Sequence, residues 1–196
     1  MANDLVTLRE YKTYKDISTD DKNAQLRDII THVSNLVKDY CGVSFNDYIS
    51  SDKVEYFDGK NNNRVFLSEI PLNSVTHVKT SSDGGVSSTV LTVNEDYFID
   101  YDLGSILTGT DLAFVPDAYI EFKSLEVSYK AGYTAVPEAI KLVTMDIVEY
   151  YKTESFHPRK SMSGSTIESV SFSKLGDSSF PPHIRRVLDL YRVVHV

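Results

Sequence analysis

Apolar and polar residues follow two different periods along the chain, and the change between them divides it. Between residues 20 and 41, Leu26, Ile29, Ile30, Val33, Leu36, Val37 and Tyr40 recur at three- and four-residue steps, which places them on one face of an α-helix. Ser18-x-x-Asp21 offers a start for this helix, and Gly42 after Cys41 a left-handed stop. A shorter helix is expected over 8–15, where Thr7-x-x-Glu10 fits a capping box with Val6 and Tyr11 placed as a hydrophobic staple. From 53 to 130 the period shortens. Residues 53–57, 64–67, 74–79, 88–93, 97–101, 105–107 and 125–129 are rich in β-branched and aromatic side chains. Asp58-Gly59, Asn61-Asn62-Asn63, Asp83-Gly84-Gly85 and Asp102-Leu103-Gly104 punctuate them as turns. Short strands this closely spaced imply an antiparallel sheet or small barrel, not βαβ units.

The stretch from Tyr129 to Lys152, YKAGYTAVPEAIKLVTMDIVEYYK, reads as a strand end, a glycine turn and a helix over 137–153 that opens on Pro137. At about 100° per residue, Ala139, Tyr150, Val143, Ile147, Ile140, Tyr151 and Val148 fill a broad core-facing arc, opposite Lys141, Asp146, Glu149 and Lys152. Leu142 and Met145 fall inside the charged sector. Either they are incidentally exposed, or a neighbouring subunit or the C-terminal helix covers them. Residues 155–180 read as loop, with a flexible composition at 161–166; 167–172 alternate in a way suited to pairing with a partner strand. Pro181-Pro182 introduces a last helix with Ile184, Val187, Leu188 and Tyr191 on one face. The expected fold is α+β: N- and C-terminal helices forming a helical bundle, with a central antiparallel β-rich excursion. The expected parts are 1–52, helical; 53–130, β-rich; and 131–196, a helix, a loop and a C-terminal docking helix, the helical parts together making one domain.

Composition narrows the function. With 196 residues and 41% hydrophobic content the chain suffices for a core, and its single cysteine, Cys41, allows no internal disulfide. No apolar run approaches the roughly 20 residues of a membrane helix, and the opening MANDLVTLREYK lacks the pattern of a secretory signal. Synthesis in the cytosol and no membrane association are therefore expected. The net charge of −8 is uneven: −3 over 1–52, −6 over 53–130 and +1 over 131–196. A module that grips nucleic acid needs clustered Lys and Arg to displace counterions, and the middle of this chain would repel phosphate. His32, His77, His157, His183 and His195 lack metal-ligand spacing, and no nucleophile elbow or phosphate loop is present. Asp100-x-Asp102-x-Gly104 begins like a calcium loop but has glycine at the fifth position and Asp111 at the twelfth. With Glu95 and Asp96, Asp100 and Asp102 are expected to form a solvated acidic face. No catalytic residue, metal or cofactor is expected.

Several quoted segments together resemble a known family. Thr7-Leu-Arg-Glu-Tyr-Lys opens the chain, and Asp20-Asp21 leads into Val37-x-x-Tyr-Cys-Gly-Val-Ser-Phe45. The β-rich middle, Ala131-Gly-Tyr-x-x-Val-Pro-Glu-Ala-Ile-Lys141 and Pro182-x-Ile-x-Arg-Val-Leu-Asp-Leu-Tyr191 follow. This order resembles the head–tail connector (adaptor, or head-completion) proteins of tailed bacteriophages. The resemblance implies a homo-oligomeric ring, commonly of twelve subunits, in the virion neck. It would dock on the portal protein, extend the channel through which genomic DNA passes, and offer a platform to tail or neck proteins. The family carries no catalytic residues. On this reading Leu142 and Met145 are candidates for a subunit interface. Phe180, Ile184, Arg185, Arg186 and Tyr191 are candidates for docking on the portal or a neighbour, although Ile184, Val187 and Leu188 would equally complete the chain's own core. Asp96, Asp100 and Asp102 are candidates for a DNA-repelling channel wall. A tail-completion or tail-terminator component is the alternative within virions; a small α+β ligand-binding domain or enzyme is the alternative outside them.

Overall fold

The computed structural model describes residues 3–58, 62–83, 85–109, 114, 122–152 and 180–193. It divides into two compact units, one of Met1–Cys41 with Val136–Arg192, the other of Gly42–Ala135 with Val193–Val196. The class is α+β.

The first unit is helical: α1 (Leu8–Tyr14), α2 (Asn23–Cys41), α3 (Glu138–Lys152) and α4 (Pro182–Asp189). Thr7 caps α1, its hydroxyl accepting from the Glu10 N–H while the Glu10 carboxylate accepts from the Thr7 N–H, so both orphan donors are satisfied. The staple residues Val6 and Tyr11 are both buried. Helix α2 starts at Asn23, later than the Ser18-x-x-Asp21 pattern implies. Asp20, not Ser18, serves that end: its carbonyl accepts from the Asn23 N–H and its carboxylate from the Asn23 side chain and Lys12. Leu26, Ile30, Val33 and Val37 of α2 are buried, as are Ile140, Val143, Ile147 and Val148 of α3 and Ile184 and Leu188 of α4. Helices α2 and α3 pack on each other, and α4 packs on both.

The second unit holds seven strands among the described residues: β1 (Lys53–Phe57), β2 (Arg64–Phe66), β3 (Leu72–Thr80), β4 (Thr89–Val90), β5 (Tyr97–Asp100), β6 (Ser105–Thr108) and β7 (Leu125–Ala131). They form two antiparallel sheets, ordered β1-β7-β3-β4 and β2-β6-β5. One face of each sheet supplies a shared core, with Val65, Tyr97 and Ile106 from the smaller sheet and Val78, Leu125, Val127 and Tyr129 from the larger. Each of the seven strands expected between 53 and 130 appears, with ends shifted by a few residues. The proposed turns at 59, 61 and 84 fall outside the described residues, as do the loop over 155–179, the strand over 167–172, and Asp111, His157 and His195.

The Ala131-Gly132-Tyr133 motif has a local cause. Ala131 ends β7 buried, and Gly132 takes φ 111°. A Cβ there would lie 2.6 Å from the Phe45 carbonyl oxygen, which accepts the Tyr133 N–H. The Tyr133 ring stacks on Phe45 at 6.2 Å. Only glycine fits both the φ and the close approach. Gly132→Ala is expected to cost about 1–3 kcal/mol in a denaturant titration; a loss within error would mean that the turn relaxes freely.

Candidate functional site

The residues proposed for docking separate into two groups once placed. Phe180 and Ile184 are buried, not surface-facing. The Phe180 ring meets Tyr40 edge-on at 5.1 Å, and the Cys41 thiol points at the Leu188 carbonyl at 3.7 Å. These side chains hold α4 to its own unit, because a short helix with two Pro at its start has little stability except through packing. Arg185 and Arg186 lie on the exposed face, Arg185 in a loose pair with Asp189 at 3.7 Å, and Tyr191 is partly buried beyond the helix end. Leu190, which the sequence did not single out, is 82% exposed at that end.

The charged sector of α3 is a seam, not a solvated face. Tyr11 donates its hydroxyl proton to Glu149 at 2.7 Å, Tyr14 to Asp146 at 2.9 Å, and Lys141 reaches Glu10 at 3.1 Å. Burial, then the Glu149 carboxylate, push the Tyr11 phenol pKa up. Burial would raise Glu149 as well, but hydrogen bonding from Tyr11 and the charge of Lys152 outweigh it and leave its carboxyl lowered. Met145 is half-buried in a groove lined by Arg9, Glu10, Thr13 and Tyr14 of α1. Leu142 stays 47% exposed. Ala139, placed by periodicity in the core-facing arc, is exposed because it sits at the arc's edge in the first turn.

The acidic residues do not share one strand face. Asp96 precedes β5 and accepts from the Thr92 N–H. Asp100 ends β5 and pairs with Arg64 at 3.5 Å, and Asp102 lies beyond it in the exposed β5–β6 turn. Asp96 and Asp100 are thus about 13 Å apart along the strand. Between them the register aligns Arg64, Leu107 and Phe98 in one row and Phe66, Ser105 and Asp100 in the next, on the face turned away from the core.

The most connected polar group lies under the larger sheet. Lys53 reaches Ser68 at 2.5 Å, Glu55 at 3.0 Å and Glu69 at 3.3 Å. Glu69 accepts from the Ser44 N–H at 2.9 Å and the Ser44 hydroxyl at 3.0 Å; Glu55 accepts from the Ser68 N–H and hydroxyl. The Glu69 N–H donates to the Tyr129 hydroxyl at 3.2 Å. One ammonium thus bridges two carboxylates, and the bridge ties the segment before β1 and the link between β2 and β3 to the central strand. Chemically it is a clamp: every partner is already engaged by another protein group. Among the described residues, no group of three His, Cys, Asp or Glu is placed to hold a metal ion, and no helix is long and apolar enough to cross a membrane.

Among the described residues these side chains fasten elements to one another and leave surfaces to present. The head completion protein model matches residues 4–194, and the chain belongs to that family. Solved structures share the fold. A chain from the neck of an empty gene transfer agent particle, with C6 symmetry, aligns with a TM-score of 0.61 at 13% identity, covering 100% of this chain and 97% of that one. A chain from the neck of the native particle, with C12 symmetry, aligns with a TM-score of 0.54 at 15% identity over 100% of this chain and 97% of that one. A chain from the virion of the native particle gives 0.58 at 12% identity, over 98% and 91%. No curated protein matches the chain.

The clamp sets a pH dependence. Burial opposes the charge on Glu55, but Ser68 and Lys53 outweigh it and hold its pKa below the ordinary 4.5. Its contribution is therefore complete above about 4.5 and fades as pH falls through the lowered value. Burial likewise opposes charge on Lys53, yet Glu55 and Glu69 raise its pKa above 10.5, so its contribution is complete below that value and fades as pH rises through the raised one. Lys53→Met leaves two carboxylates facing each other. It is expected to cost about 2 kcal/mol near neutral pH and to flatten the acid limb of the melting-temperature profile, because protonating Glu55 then relieves repulsion instead of breaking an ion pair; an acid limb as steep as that of the wild type would show that Glu55 is not held through Lys53.

Proposed function

We propose that this chain is a structural protein of the virion neck. It is a subunit of a homo-oligomeric ring that docks on the portal at the capsid vertex, extends the DNA channel and presents a platform to tail or neck proteins. Family membership over residues 4–194 carries the reading. The neck chains of like fold come from necks treated with C6 and C12 symmetry, and a ring of twelve is compatible with both. The role is mechanical rather than enzymatic. Assembly takes place in the host cytoplasm before the ring joins the virion. A chain of net charge −8 suits a conduit, because its surface repels the DNA backbone and lets the genome pass without adhering.

The portal-docking surface is the outward side of α4: Arg185 and Arg186 with the exposed Leu190 and the neighbouring Tyr191. Phe180 and Ile184 act indirectly by fixing that helix. Mixing the purified chain with the portal protein of the same virus should give a joint ring, visible by electron microscopy. The Arg185→Glu/Arg186→Glu variant should weaken portal binding by about tenfold or more with an unchanged melting temperature. Full binding by that variant would move the docking surface elsewhere; a portal that ignores the wild-type chain would overturn the function proposed.

A further inference from the structure

The two sheets of the β unit present unlike faces to solvent. Their inner faces share one core, which leaves each an outer face of its own. On the smaller sheet the outer face is apolar at its centre, with Phe66 at 51% and Phe98 at 45% exposure beside Leu107. Among the described residues four carboxylates edge it, Glu95, Asp96, Asp100 and Asp102, against the guanidinium of Arg64. On the larger sheet the register puts Tyr56, Glu126, Lys79 and Val90 in one row and Val54, Ser128 and His77 in the next. Tyr56 is 49% exposed, with the Lys123 ammonium 5.3 Å from its ring. Three lysines, Lys79, Lys123 and Lys130, stand there with three carboxylates, Asp52, Glu126 and Asp58, the last accepting from the Lys123 N–H, before His77 is counted. In a chain of net charge −8 this face is near charge balance, whereas that of the smaller sheet has an excess of carboxylates.

A closed ring of identical subunits needs heterologous contacts, in which one patch meets a different, complementary patch on the next copy. Two unlike faces of one unit, each with exposed aromatic residues, one with an excess of carboxylates and the other with three ammonium groups to meet them, suit that requirement. We infer that the outer face of the three-stranded sheet of one copy packs on the outer face of the four-stranded sheet of the next, Phe66 and Phe98 meeting Val54 and Tyr56 while Asp96 and Asp102 meet Lys79 and Lys130. The inference rests on the ring proposed above. It takes Asp96 and Asp102 away from the channel wall and gives them to the subunit contact.

Charge reversal with exchange tests it. Lys79→Glu/Lys130→Glu makes both faces of a copy acidic, and Asp96→Lys/Asp102→Lys gives the face of the smaller sheet an excess of cations. Each variant alone is expected to lower the yield of rings on the portal by about tenfold or more. Mixed one to one they should recover it, because the two kinds of copy then alternate. A second measurement does not depend on those charges: Tyr56→Cys/Phe98→Cys should give a ladder of covalent multimers on oxidation of the assembled ring, the native Cys41 being buried. Rings formed equally well by either reversed variant alone, or an assembled double-cysteine ring that yields no ladder, would overturn this contact and leave the neck function standing. A wild-type chain that forms no ring with portal would overturn both.

Discussion

Strand β7 is the constraint on which the β unit depends. Its alternate residues Leu125, Val127 and Tyr129 are fully buried, and β1 and β3 pair with it on either side. Side chains along a strand alternate between faces, so a slip of one residue would drive Glu126 and Lys130 into the core and turn Val127 and Tyr129 out to water. The cost of that slip fixes everything attached to the strand. It sets which side of β1 carries the Lys53 clamp and which carries Val54 and Tyr56. It also brings the Tyr129 hydroxyl under Glu69 and delivers Gly132 to the Phe45 carbonyl.

The helical unit solves a different problem with different chemistry. Helices α2, α3 and α4 are joined by apolar faces, whereas α1, with seven residues, is too short to contribute a full apolar stripe. It buries Tyr11, packs on α2, where Lys12 reaches Asn23, and is tied to α3 by hydroxyl-to-carboxylate and ammonium-to-carboxylate bonds. Glu10 serves twice, closing the capping box and receiving Lys141, so the start of α1 and its seat on α3 are set by one side chain.

Where one local rule governs an element, the sequence was a good guide: the Thr7 capping box, the Gly42 stop, the seven strands and the Pro182 helix start all follow from neighbours within a few residues. It was a poorer guide wherever distant residues decide. Periodicity sets Lys141, Asp146 and Glu149 opposite the core-facing arc and suggests a neighbouring subunit or the C-terminal helix as cover, because nothing local reveals that α1 reaches them. Phe180 and Ile184 look like docking residues until α2 is seen to bury them. The row of Arg64, Leu107 and Phe98 has no local signature, since it exists only through the pairing of three strands far apart in the chain. Asp100 and Asp102 look like neighbours on a strand that in fact ends between them.

The lone cysteine acquires a use from its place in the fold. Cys41 is sealed at the end of α2 beneath α4, and burial pushes its thiol up to about 12. A thiolate is the form that reacts with alkylating reagents, and this site denies both the charge and the access. Labelling must therefore wait for α4 to lift. With one cysteine in the chain, the alkylation rate becomes an internal clock for that local opening, readable by mass alone and without any engineered probe.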